Sequence, residues 1–161
     1  MTTERCVGCG GIFPQLEGLS HRYMVSTPAC WERYGELIGI MAVDPALFEA
    51  RPYAVDAFAV QHPGTPGPQA IRSVAVHLLN MYEYFVLGHP PGVPRFSGHK
   101  GAFVWLAPPN TRGARTVLDV PTNGPRERIT AAARDWAESA WAAWSAHHPQ
   151  IAAWHTQFAA R

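Results

Sequence analysis

The chain has 161 residues, 47% hydrophobic and 16% charged, with 13 basic and 12 acidic side chains and a formal net charge of +1. This composition suits one folded domain with its own core and excludes a disordered chain. No block of like charge is present, which argues against a nucleic-acid surface or an anionic-membrane surface. No apolar run approaches the roughly 18 to 20 residues of a membrane span. Met1 to Arg5 lack the basic and then apolar character of a secretory leader, so the expectation is a soluble, cytoplasmic protein.

Residues 1–26 are glycine-rich and read as a metal knuckle followed by loop. All three cysteines lie in the first thirty residues: Cys6 and Cys9 followed by Gly10, then Cys30. Two thiolates two residues apart grip one ion from a tight turn, and soft donors in tetrahedral geometry point to zinc. Three cysteines cannot all pair within one chain, and in a reducing compartment Cys-x-x-Cys is more often a metal or redox site than a disulfide. A thioredoxin-like dithiol follows a strand and opens a helix. Gly10 to Pro14 are not helix-like, which favours metal over redox chemistry.

Thr27 and Pro28 predict a helix start, with a hydroxyl N-cap and a proline where no N–H is needed. This places Cys30 in the first turn, where the helix dipole favours a thiolate. The helix runs to about Ala42. Asp44 and Pro45 repeat the signal, predicting a short helix, and a further helix spans about Pro52 to Gln61, ended by His62, Pro63 and Gly64. Pro68 opens a long helix to about Leu87 with Ile71, Val74, Leu78 and Phe85 on its apolar face. Residues 88–124 are dense in glycine and proline. Two β-like runs there, 102–106 and 116–120, predict a small hairpin laid on the helices. Pro125 opens a tryptophan-rich helix to about His147, with Trp136, Ala140, Ala143, Trp144 and His147 in one stripe, and Pro149 starts a final amphipathic helix. The fold expected is mainly α: a bundle of four to five helices with the metal knuckle and the hairpin attached. Within one domain, the divisions fall at 1–26, 27–87, 88–124 and 125–161.

Three sulfurs need a fourth ligand. His21 is the nearest histidine and gives a closed, structural Cys3His site, with His62 and His77 as alternatives. Gln69, Ser73 and His77 recur at four-residue spacing, with Asn80 and Tyr84 extending the same side. The stripe reads either as a half-exposed flank or as a pocket wall in which His77 serves as ligand or general base. His62 reads equally as a helix cap and as a site residue. Asp56 lies among apolar neighbours and needs a partner, a histidine, an arginine or a backbone N–H, and could serve to orient a histidine. The catalytic candidates are therefore His62, His77 and Asp56, with Gln61, Gln69, Ser73 and His147 lining the pocket. His89, His99 and His155 read as loop or surface positions. The tryptophans read as core. No phosphate-binding loop, dinucleotide-binding glycine motif, Gly-x-Ser-x-Gly or His-Glu-x-x-His is present.

These motifs resemble an uncharacterised bacterial family, a domain of unknown function. The matching stretches are Cys6 to Gly10, His21 to Met24, Pro28 to Trp31, Val55 to Gly64, Ser73 to Leu78 and Trp136 to His148. The resemblance implies that the cysteines, His21, His62, His77 and His147/His148 belong to one shared pattern, and it implies no activity. Pro52 departs from the residue expected inside a helix.

Two functions remain open. One is a zinc-binding, metal-dependent enzyme with a histidine-lined pocket for a small molecule. The other is a structural-zinc scaffold that docks a protein partner or a second copy. A weaker third is a histidine-bound metal inside the bundle, as in DinB-like enzymes, an analogy of fold alone.

Overall fold

The computed structural model describes residues 1–92, 96 and 103–159. Among these, a two-stranded antiparallel hairpin precedes five α-helices. Strand β1 (Thr3–Arg5) pairs with β2 (Ile12–Pro14), with Glu4 opposite Phe13. The helices are α1 (Pro28–Val43), α2 (Arg51–Gln61), α3 (Pro68–Phe85), α4 (Arg126–Ala143) and α5 (His148–Ala159). No helix in this set is long and apolar enough to cross a membrane.

Prolines set most of the helix starts. Pro28, Pro52 and Pro68 each stand in a first turn, where the missing N–H costs nothing. Pro52 therefore begins α2 and interrupts no helix. Thr27 occupies the N-cap of α1 in extended conformation, but its hydroxyl makes no capping bond and is buried without a partner. Asp44 does cap: its carboxylate accepts from the Ala46 N–H at 3.0 Å and starts a single 3₁₀ turn, Pro45–Leu47.

Helix α2 lies at the centre, packed against α1, α3 and α4. Ala54, Ala57 and Ala59 are buried on it together with Phe58 and Val60, so small side chains admit close neighbours on several sides. Trp136 and Trp144 are fully buried, each contributing on the order of 2–3 kcal/mol. Their indole N–H groups both donate to the end of α2, Trp136 to Gln61 Oε1 at 2.8 Å and Trp144 to the Val60 carbonyl at 3.1 Å. The tryptophans thus act as core and as the fixture of α2's C-terminal turn.

The hairpin is at the N-terminus, where it frames Cys6 and Cys9, and not at 102–106 and 116–120. Position 102 lies outside the described residues, and 103–106 carry no strand. Thr116 and Asp119 form a capping box around a 3₁₀ turn, Val117–Asp119. A Thr-x-x-Asp spacing satisfies two backbone donors locally and so competes with strand pairing. The tryptophan helix ends at Ala143, and Ser145–His147 form a separate 3₁₀ turn.

Candidate metal centre

The hairpin connection folds into a knuckle. The Cys6 N–H donates to the Gly11 carbonyl at 2.8 Å and the Gly10 N–H returns to the Cys6 carbonyl at 3.0 Å. Gly10 takes a left-handed φ of 77°, which a side chain disfavours. The turn presents both sulfurs inward, toward the first turn of α1 and the C-terminus of α2.

Four donors meet there. The Sγ atoms of Cys6, Cys9 and Cys30 and a ring nitrogen of His62 all lie within 4.8 Å of one another, and all four residues are buried. His62 Nε2 is 3.5 Å from both Cys6 Sγ and Cys30 Sγ, and Cys9 Sγ is 3.9 Å from Cys30 Sγ. A tetrahedral ion bonded at ~2.3 Å to sulfur and ~2.0–2.1 Å to nitrogen requires S···S near ~3.8 Å and S···N near ~3.6 Å. The three distances match these, so the donor set fits a small four-coordinate metal ion.

His62 is pre-set for the task. It is the C-cap residue of α2, and its Nδ1–H donates to the Phe58 carbonyl at 2.7 Å while the ring stacks on Phe58. This bond fixes the tautomer and leaves the Nε2 lone pair facing the sulfurs, the usual outer support of a metal-bound histidine. The cap reading of His62 holds at Nδ1, while Nε2 faces the sulfurs of Cys6 and Cys30.

His21, the nearest histidine in sequence, stands outside the group. Its Nδ1 accepts from the backbone N–H groups of Met24 (3.2 Å) and Tyr23 (3.4 Å), and its ring meets Trp31 edge-on. His77 is also elsewhere, with Nδ1–H donating to Asp56 at 2.6 Å. Among the described residues no second group of histidine, cysteine and carboxylate side chains converges in this way.

The electrostatics favour a cation. The hydrogen bonds from Cys30 and then Cys9 pull the Cys6 thiol far down, whereas the hydrogen bonds to Cys6 and Cys9, reinforced by burial, push Cys30 far up. A bound dication would favour the thiolate form of all three cysteines.

Arg112 completes the centre from over a hundred residues away. Its Nη1 donates to the carbonyls of Val7 (3.1 Å) and Gly8 (2.7 Å), inside the knuckle. Burial depresses its guanidinium, and the charge of Cys6 and Cys9 pulls the other way. Gln61 holds this loop: buried, it donates to the carbonyls of Arg112 and Arg115 at 2.8 and 2.7 Å. Gln61 is thus a tie between α2, α4 and the loop that carries Arg112. Nothing local in the sequence marks Arg112. Gly8 was also missed, and its reason is steric: a Cβ there would lie 2.1 Å from His62 Cδ2.

Asp56 and His77 form a second constellation. Asp56 is buried at 3% exposure and accepts from His77 Nδ1, from Asn80 Nδ2 at 3.1 Å and from the Tyr84 hydroxyl at 3.0 Å. Burial, then the Asp56 charge, hold the Tyr84 hydroxyl well above its ordinary pKa, so it stays a donor. Gln69 and Ser73 line a small recess with His77. His147 is remote from both groups and donates from Nε2 to the Ala107 carbonyl at 2.7 Å. His89 and His155 are not idle surface groups, since both engage the buried carboxylate of Glu83. His99 lies outside the described residues.

A model described as a family of unknown function, DUF5946, matches residues 4–145, which include all four donors of the cluster. The chain belongs to that family. No curated protein and no solved structure matches it.

Proposed function

We propose that this DUF5946 member is a zinc protein in which Cys6, Cys9, Cys30 and His62 form a closed structural site. The observation that carries the reading is the convergence of four buried donors at tetrahedral spacing. Three sulfurs and one imidazole are a characteristic zinc donor set. With four protein ligands the ion has no position for water, so metal-activated hydrolysis has no support here and the ion's contribution is to folding. When bound, it supplies a cross-link between the N-terminal knuckle, α1 and α2. Buried thiolates of this kind persist in a reducing compartment, which favours the cytoplasm.

Chemistry, if the protein performs any, then belongs to the Asp56–His77 constellation. A purely structural scaffold is the second reading, supported by the closed donor set. Metal analysis of protein purified under reducing conditions tests the zinc assignment. One equivalent of zinc is expected, lost in Cys30→Ser and His62→Ala and kept in His21→Ala. Metal-free protein, or full zinc in Cys6→Ser, would overturn it.

A further inference from the structure

A cavity of about 820 Å³ lies between α2, α3 and the segment after α3, open to solvent and within the range of small-molecule sites. Phe48, Pro52 and Val55 give it an apolar wall, and Asp56, His77, Asn80 and Tyr84 form its polar side.

Three donors of that side are spent on one carboxylate. The His77 Nδ1–H, the Asn80 amide and the Tyr84 hydroxyl all meet the buried Asp56. Asp56 is thereby compensated, and its effect falls on the side chains it holds. Glu83 is likewise engaged, by His89 and His155. His77 differs from its neighbours. With Nδ1–H fixed on Asp56, its lone pair is at Nε2, and among the described residues Nε2 has no hydrogen-bond partner. The ring is 21% exposed and lines both this cavity and a smaller recess with Gln69 and Ser73. An imidazole anchored at Nδ1 by a carboxylate and open to water at Nε2 has the arrangement of a general base. The carboxylate fixes the tautomer and stabilises the imidazolium that forms when Nε2 takes a proton.

We propose that His77 is a general base for hydrolysis of an uncharged carboxylic ester bound in this cavity, with Asp56 as its positioning residue. Nε2 takes a proton from water as the water oxygen bonds to the ester carbonyl carbon. That proton then passes to the alcohol oxygen as the C–O bond breaks, giving carboxylic acid, alcohol and neutral His77. An ester with apolar acyl and alcohol parts suits the apolar wall. Its carbonyl is also attacked more readily than that of an amide. This matters because the donors of the polar side are spent on Asp56 and do not cradle an oxyanion. A phosphate ester calls for buried cations, and the arginine of the lining, Arg51, is exposed. The proposal rests on the reading that the metal site is closed, which leaves hydrolysis to this pair.

Full-length, metal-loaded protein is given p-nitrophenyl butyrate and the release of p-nitrophenolate is followed. Saturable hydrolysis is expected. His77→Ala should lower kcat/KM by about a hundredfold. Added imidazole should restore saturable hydrolysis in that variant above its own rate in solution, which a merely structural histidine would not allow. Asp56→Asn should lower kcat by about tenfold or more with KM little changed. Where Asp56→Asn fails to fold, His77→Ala and its rescue carry the test. No saturable hydrolysis by wild type, undiminished kcat/KM in His77→Ala, or a loss there that imidazole does not restore would overturn the proposal. Zinc content is measured on the same samples. Zinc kept with saturable hydrolysis absent rejects the role of His77 alone. Zinc absent with hydrolysis intact rejects the metal reading alone.

Discussion

Gly8 stands where a methyl group would strike the His62 ring, with the nearest ring carbon 2.1 Å from an added Cβ. The clash involves a buried ring held by Phe58 on one side and by its own Nδ1 bond, so it cannot swing away cheaply. Gly8→Ala is expected to cost about 1–3 kcal/mol and to weaken metal retention, measured by denaturant melts and chelator competition. Arg112 acts through charge. Three thiolates on a dication would leave one net negative charge in a buried place, and the guanidinium over the knuckle would offset it. Arg112→Gln should lose its metal faster to a chelator than wild type while keeping the same helical signal. Equal release rates would remove Arg112 from the centre. Neither residue is conspicuous in the sequence: one lacks a side chain, and the other is brought to the knuckle only by the packing of Gln61.

At the scale of elements, α2 joins the two constellations, carrying Asp56 in its middle and Gln61 and His62 at its end. Gln61→Leu would strand the Trp136 indole N–H and the carbonyls of Arg112 and Arg115, each a loss of about 1–3 kcal/mol where the group stays buried. Denaturant melts should show that loss. The helix starts were legible because prolines sit where α1, α2 and α3 lack hydrogen-bond partners. The Cys-x-x-Cys knuckle was legible because its spacing is local. The fourth donor was legible only as one of three histidines: placing His62 rather than His21 beside the sulfurs requires the C-cap geometry of α2, which turns on packing against Phe58. The hairpin was misplaced because β-like composition at 116–120 gave way to the Thr116–Asp119 capping box. That Asp56 needs a donor was legible, because a buried carboxylate among apolar residues must be paired; which donor, among a histidine, an arginine and a backbone N–H, was not.

Across the whole molecule, distant segments are fastened by a few polar ties. Asp44, before the 3₁₀ turn, meets Arg126 at the start of α4 at 2.8 Å. That hydrogen bond, helped by the Ala46 N–H, holds the Asp44 carboxyl below its ordinary range. A depressed folded pKa means the stabilisation is complete above the unfolded carboxylate value, about 4, and disappears as pH falls through the folded value. Melts of wild type and Asp44→Asn should therefore differ at neutral pH and converge in acid. A metal ion held by Cys6, Cys9, Cys30 and His62 would be the larger fastening, since it would join residues 6, 9, 30 and 62. Structural zinc binding is worth on the order of 10 kcal/mol, comparable with the whole stability of a small protein. Chelation should lower the melting temperature steeply and release the N-terminal knuckle to proteolysis.

X-ray absorption at the zinc edge on the purified protein reads the ligand set directly. The account predicts three sulfurs at ~2.3 Å and one imidazole nitrogen at ~2.0–2.1 Å, with the nitrogen shell lost in His62→Ala. A shell containing bound water, two sulfurs with two nitrogens, or an imidazole signal that survives His62→Ala would contradict it.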